Sequence, residues 1–379
     1  MALVLTDDER LIRDSAEGFF AEHAPVAELR RLRDRRDPTG FDRALWARMA
    51  EMGFAGVAIP QDHGGAGLGM VAAGLIQEAI GRNLSLSPFF STSILAATLL
   101  ARGGNDEQKA ALLPRMAAAE MIVALAADEA PRHAPTEVAT RAEASGNGFR
   151  LSGVKPFVLD GQVADRLIVA ARTSGTDREA EGITLFLVDP KADGVTVEAR
   201  SMVDCRNAAR VTLAGVQVDG ADVLGPVGGG FALLEAALDA GRACLAAEML
   251  GVADRAFALT TDYLKTREQF GRPIGSFQAL QHRAAHLFCE IELAKSVTLK
   301  ALRALDDGDE RAPVFASLAK AKVGEVARLA TNEAIQMHGG IGMTDDADIG
   351  FYLKRARAAA ETFGDSAFHG DRIARIMRY

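Results

Sequence analysis

From Phe231 the chain carries one long helical pattern without a proline, with Phe231, Leu234, Leu238, Leu245, Met249 and Val252 forming an apolar stripe. It continues to about Glu268, and at 1.5 Å per residue such a helix spans roughly 55–60 Å. A rod of that length needs companions of similar length to cover its apolar side. Two follow at once, over about Phe277–Leu305 and Pro313–Met337, and a C-terminal helix runs from Ile349 onward. Together they predict a helical bundle.

The first third is also helical. Thr6 with Glu9 three residues on makes a capping-box signal, and Leu11, Ile12, Ala16, Phe19 and Phe20 recur at helical spacing. Asp42 to Met52 and Met70 to Ile80 read as amphipathic helices, and the almost wholly apolar stretch Ser91 to Leu100 reads as a buried one. Near residue 120 the character changes. Met121 to Ala127 has the look of a core strand, and Gly146-Asn147-Gly148 marks a turn. β-branched runs follow at 166–171, 183–188, 195–197 and 211–218, predicting a small β-barrel or sandwich. The glycine cluster from Gly225 to Gly230 lacks the strand and lysine of a phosphate loop, so it reads as a hinge. The expected domains are a helical 1–118, a β-domain over 119–225 and a helical bundle over 226–379.

A net charge of −8 argues against nucleic acid as a partner, since a phosphate backbone calls for a basic surface. No run of about 18 apolar residues offers a membrane span. No charged-then-apolar leader opens the chain, and Cys205, Cys244 and Cys289 are odd in number and far apart. A cytoplasmic chain with buried free thiols is the expectation. His282 and His286 share a helix face, yet they lack the glutamate of a zinc-hydrolase motif and a third ligand, so no metal is expected. Asp345, Asp346 and Asp348 lack calcium-loop spacing and read as a solvated loop before a helix.

The corner from Tyr263 to Gln278 carries the chemistry. Gly271 and Pro273 stop the long helix, Ser276 fits as the next N-cap, and Arg267 and Phe270 are held at the helix end. A cation beside an aromatic ring suits an anionic, planar ligand; such a corner also serves for packing alone. Its sequence closely resembles the flavin-contacting corner of the acyl-CoA dehydrogenase family, Arg-x-x-Phe-Gly followed by Phe-Gln. Gly53 to Pro60, the glycines at 64, 65, 67 and 69, Glu78 with Gly81, and Gln336 to Gly342 match further stretches of that family in order.

The resemblance implies a mainly α fold with a central β-domain: N-terminal helices, a middle β-barrel and a C-terminal four-helix bundle. It also implies FAD lying across a subunit interface. Arg267, Phe270, Gln278, Gln336, Gly339 and Gly340 would grip its ADP end from a neighbouring chain, where guanidinium and open backbone suit a pyrophosphate. At the isoalloxazine end the family's Thr-Glu-Pro-x-x-Gly-Ser-Asp loop is replaced by Ala127 to Thr136. The family's Trp-Ile-Thr becomes Phe157-Val158-Leu159, which keeps a ring to stack but loses a hydroxyl.

The family's catalytic glutamate is missing from both places where members carry it. Gly364 stands at one and Gly241, before Arg242, at the other. Three readings stay open: Asp365 as a displaced base, the 364 backbone N–H as a ligand for a thioester carbonyl, or a chain that does not host the chemistry. The pattern resembles the glutamate-lacking subunit of heteromeric, steroid side-chain type acyl-CoA dehydrogenases. That implies an α2β2 assembly with a second acyl-CoA dehydrogenase subunit, an acyl-CoA substrate with a bulky acyl group, and an electron-transfer flavoprotein as electron acceptor. The alternatives are a self-sufficient homotetramer using Asp365 or another base, and a non-catalytic member that binds acyl-CoA or stabilises a partner.

Overall fold

The computed structural model describes residues 3–379. Helices α1 (Asp7–His23), α2 (Val26–Arg35), α3 (Arg43–Glu51), α4 (Gly69–Asn83), α5 (Ala97–Gly103) and α6 (Asp106–Ala117) precede eight strands. Then come α7 (Phe231–Thr266), α8 (Gln278–Asp306), α9 (Ala312–His338), α10 (Ile349–Glu361) and α11 (Ser366–Met377). The Thr6–Glu9 capping box forms, each side chain accepting from the other residue's backbone N–H. The chain divides into two compact units, one of Leu32–Gly69 with Leu86–Gly241, the other of residues up to Arg31 with Met70–Ser85 and Arg242–Tyr379.

The first of these units holds the sheet: β1 (Val123–Ala126), β2 (Arg141–Ser145), β3 (Gly148–Leu159), β4 (Arg166–Arg172), β5 (Ile183–Val188), β6 (Val195–Ser201), β7 (Asn207–Asp219) and β8 (Val223–Leu224). The order is β6-β7-β3-β2-β4-β5-β8, with β1 parallel to β4. Phe149 on β3 and Phe186 on β5 meet edge-to-face at 5.2 Å, although two strands lie between theirs in the sheet. In a flat sheet they would be about 14 Å apart. The sheet therefore curls round one core, to which Leu151, Leu167, Val169, Phe186, Val211 and Val216 contribute, as a barrel requires.

Several expectations need correction here. Sequence pattern missed β2 and β3, because exposed Arg141, Glu143, Arg150 and Ser152 break up their apolar runs. The Ser91–Leu100 stretch is buried, but Phe89–Ala96 is wound as a π-helix before α5 takes over. The glycines after β8 do not form a free hinge. Gly228 N donates to Thr184 Oγ1 at 2.7 Å and Gly230 N to Ile183 O at 2.8 Å, which fastens them to β5.

In the other unit α4 and α7 cross almost backbone to backbone. A Cβ on Gly81 would meet Glu248 O at 2.1 Å, and one on Gly251 would meet Glu78 O at 2.0 Å. Both positions therefore demand glycine. Asp306, at the end of α8, accepts from the free N–H groups of Met70 (2.6 Å) and Val71 (2.9 Å) and so caps α4. Arg283 on α8 pairs with Glu333 on α9 at 2.5 Å. The long helix differs from the expected one-sided stripe: from Ala237 to Ala253 every residue is buried, small alanines filling the side away from the leucines. Within that stretch Glu248 is bonded by Gln77 (2.7 Å) and Arg355 (3.2 Å), each buried. The C-terminal helix is also broken, at Thr362–Asp365, between α10 and α11.

Candidate functional site

α7 ends where Arg267 N donates to Tyr263 O at 2.8 Å. Phe270 (φ 55°) and Gly271 (φ 77°) then reverse the chain, and Glu268–Gln269 pairs with Arg272–Pro273 in a short antiparallel ladder. Ile274 N returns to Arg267 O at 2.8 Å and fixes the corner. Ser276 is not the N-cap of α8: its hydroxyl donates to Pro273 O at 2.7 Å, and Phe277 occupies the cap without a side-chain bond. Arg272 lies 4.2 Å over the Phe277 ring, which meets Phe270 edge-on at 6.0 Å. Phe270 is 91% exposed, an aromatic ring braced from behind and open in front. Arg267 and Gln278 are exposed beside it, and the Arg267 guanidinium has no partner among the described residues.

The second motif is brought to this corner by a contact that sequence spacing did not reveal. Tyr263, one turn before Arg267, stacks on His338 at 4.5 Å with the rings 20° from parallel. His338 closes α9, so exposed Gln336 and the loop after it are tied to the same end of the bundle. Gly339 (φ 64°, ψ −140°) has a backbone that side-chain-bearing residues avoid, and a Cβ at Gly339 or Gly340 would meet nothing within 4 Å. The corner thus presents an unpaired cation, a bare ring and open glycine backbone to the outside. These are the features a nucleotide's adenine and pyrophosphate need.

The loop from Ala127 to Thr136, in the unit with the sheet, is different. Its acidic side chains are already occupied. His133 Nδ1 sits 2.9 Å from both carboxylate oxygens of Asp128. Glu129 accepts from fully buried Lys155 at 2.6 Å and from the backbone of Ala139 and Thr140. Lys155 holds Glu129 below the usual carboxylate range even though burial opposes that ionisation. Arg172 ties down the carbonyls of Thr136 and Val138. Phe157 is half-buried on β3 where its pairing with β7 is irregular, and Leu159 is buried. Sequence pattern gave no warning of the Asp128–His133 pair or of the buried Lys155–Glu129 pair.

At the break between α10 and α11, Gly364 has φ +108°, and a Cβ there would lie 2.4 Å from the Phe368 ring and 3.0 Å from His369 Nε2. Buried Lys320 donates to Gly364 O (2.9 Å) and Ala360 O (2.8 Å), and Arg242 Nε reaches Phe363 O at 3.4 Å. Asp365 caps α11, its Oδ1 accepting from Phe368 N at 2.8 Å. Gly241 lies within α7 beside Arg242. All three cysteines are free; Cys244 is buried, Cys205 half-buried and Cys289 exposed, so the expected burial holds for one of them. Among the described residues no group of three metal-binding side chains forms, and no helix is long and apolar enough to cross a membrane.

Known proteins agree with this architecture. Three family descriptions match in order: acyl-CoA dehydrogenase N-terminal domain over residues 6–120, middle domain over 125–214 and C-terminal domain over 228–378. A 3-(aryl)acrylate reductase from Clostridium sporogenes is 32% identical over 96% of this chain and 97% of its own. A solved variant of the Tcur3481-Tcur3483 steroid ACAD is 33% identical, with a TM-score of 0.88 and 98% of each chain covered. The ChsE4-ChsE5 complex of Mycobacterium tuberculosis is 25% identical, with a TM-score of 0.87 over 100% and 99%. The chain belongs to the acyl-CoA dehydrogenase family. It is thereby an oxidoreductase of the class that binds FAD and dehydrogenates acyl-CoA thioesters.

Proposed function

We propose that this chain is the subunit of a heteromeric acyl-CoA dehydrogenase that lacks the catalytic glutamate and completes its partner's FAD site. The observation that carries this is Gly364. The family's base position is held by a backbone that only glycine adopts comfortably, with Phe368 in the space of a side chain. Dehydrogenation needs a carboxylate to take the α-proton, while FAD supplies the hydride acceptor when bound. A neighbouring chain would bring both that carboxylate and the isoalloxazine pocket. This chain would bring Arg267, Phe270, Gln278, Gln336, Gly339 and Gly340 to the ADP end.

The unpaired guanidinium and open glycines support that role, and the occupied acids of the loop from Ala127 to Thr136 support loss of this chain's own flavin pocket. Phe157 remains a ring against which a flavin could stack. The similarity to a named two-protein complex and to a steroid ACAD supports an α2β2 assembly and a bulky acyl group. An electron-transfer flavoprotein would accept the electrons. The matched segments support working domains of 1–118, 119–225 and 226–379.

The test is to purify the chain alone and again with a co-expressed acyl-CoA dehydrogenase partner, and to compare flavin absorbance and turnover. Flavin and turnover should appear only with the partner, and Arg267→Ala should reduce that flavin at least severalfold. A chain that is yellow and active alone would refute the proposal. Asp365 supports a second reading, a self-sufficient homotetramer, only through its carboxylate one residue from the family position. Its carboxylate already serves the α11 cap.

A further inference from the structure

The sheet order begins at β6 (Val195–Ser201), which is therefore one of its edges. β6 pairs with β7 residue by residue, from Val195 opposite Leu213 to Ser201 opposite Asn207, without a bulge. Among the described residues no strand takes its other side. That side carries a row of backbone N–H and C=O groups open to another chain. Thr196, Glu198, Ala199, Arg200 and Ser201 are all exposed. No proline or lysine blunts the strand. Its charges are one acid and one base on the same face, Glu198 and Arg200, bonded to each other at 2.8 Å with each side chain half exposed.

An edge with an acid and a base so placed is complementary to itself. Two copies running antiparallel about a two-fold axis normal to the sheet set residues of the same face opposite each other, so the axis falls on a residue. Centred on Glu198, it opposes glutamate with glutamate; centred on Arg200, arginine with arginine. Centred on Ala199, it opposes Glu198 with Arg200 twice over, Ala199 with Ala199 and Val197 with Ser201. On the inner side Arg210 of β7 is already opposite Glu198, so in that register Glu198 stands between two arginines.

We propose that β6 is a homotypic docking edge, which pairs antiparallel with β6 of a second copy of this chain in the register that puts Ala199 on the axis. The backbone ladder supplies the attachment. The Glu198–Arg200 pairs choose the register and the partner, because every neighbouring register brings like charges together. The contact uses no residue of the nucleotide corner, so it stands whether or not a companion chain supplies the catalytic base.

Cysteine cross-linking of the assembled protein tests this, with any companion chain present and exposed Cys289 changed to serine throughout. Cα atoms directly opposite in antiparallel strands are about 4.5–5.5 Å apart, within disulfide reach, whereas the two copies of Thr196 would be about 20 Å apart. On mild oxidation Ala199→Cys should give a dimer of this chain on a non-reducing gel, at least fivefold more than Thr196→Cys gives. Adding Glu198→Arg should cut that dimer at least fivefold. Adding Arg200→Glu as well should restore most of it, since the swapped charges are again complementary. An Ala199→Cys chain that forms no dimer, that cross-links to a companion chain instead, or that matches Thr196→Cys would overturn the proposal. So would a double charge swap that dimerises no better than Glu198→Arg alone.

Discussion

Gly364→Ala isolates the feature on which the functional reading rests. Two costs add. A side-chain-bearing residue at φ +108° carries strain of about 1–3 kcal/mol. Its Cβ, 2.4 Å from the Phe368 ring, adds an overpacking cost of about 1–3 kcal/mol. The backbone has little freedom to relax, because Lys320 grips the Gly364 and Ala360 carbonyls and Arg242 the carbonyl of Phe363. The expected loss is about 2–6 kcal/mol, read by denaturant unfolding of the assembled protein followed by circular dichroism. In a Phe368→Ala background the ring clash is gone and the strain and the 3.0 Å approach to His369 Nε2 remain, so the same substitution should cost less, about 1–3 kcal/mol. Gly364→Glu carries the same strain and should not give this chain acyl-CoA-dependent flavin reduction of its own. A Gly364→Ala variant within about 0.5 kcal/mol of the parent, or equal costs in the two backgrounds, would refute the reasoning.

Three further outcomes follow from the same geometry. Asp365→Ala removes a helix cap and should cost about 1 kcal/mol while leaving turnover of the assembled enzyme nearly unchanged; loss of most turnover would favour the displaced base. Glu78→Gln should raise the unfolding midpoint at pH 8 and not at pH 4. The raised carboxyl contributes stability that is fully present below about 4.5 and lost as pH rises through about 7, a difference of at most about 3 kcal/mol. Lys155→Ala should cost more than Asp365→Ala, at about 3–5 kcal/mol by thermal or denaturant unfolding, because it leaves Glu129 charged and enclosed without its cation.

Much of this molecule was legible beforehand. The long helices, the capping box at Thr6 and four of the β-runs follow from period and local chemistry, which act within a few residues. β2 and β3 were not legible, because their exposed polar residues make sense only once neighbouring strands define a face. Ser276 looked like a cap by type, yet its hydroxyl found Pro273 O first. The two motifs of the family resemblance were visible as motifs; their meeting was not, because Tyr263 and His338 are far apart in the chain and stack only when α7 and α9 end together.

The amino-acid order by itself determined the family and the absence of a glutamate at 364 and 241, since both are statements about residue identity. Only tertiary structure decided that Gly364 has no room for an acid, that Asp365 is committed to a helix end, and that burial pushes the Glu78 carboxyl up. Those facts depend on which groups from distant segments arrive within a few ångströms. Packing sets that, and no local pattern records it.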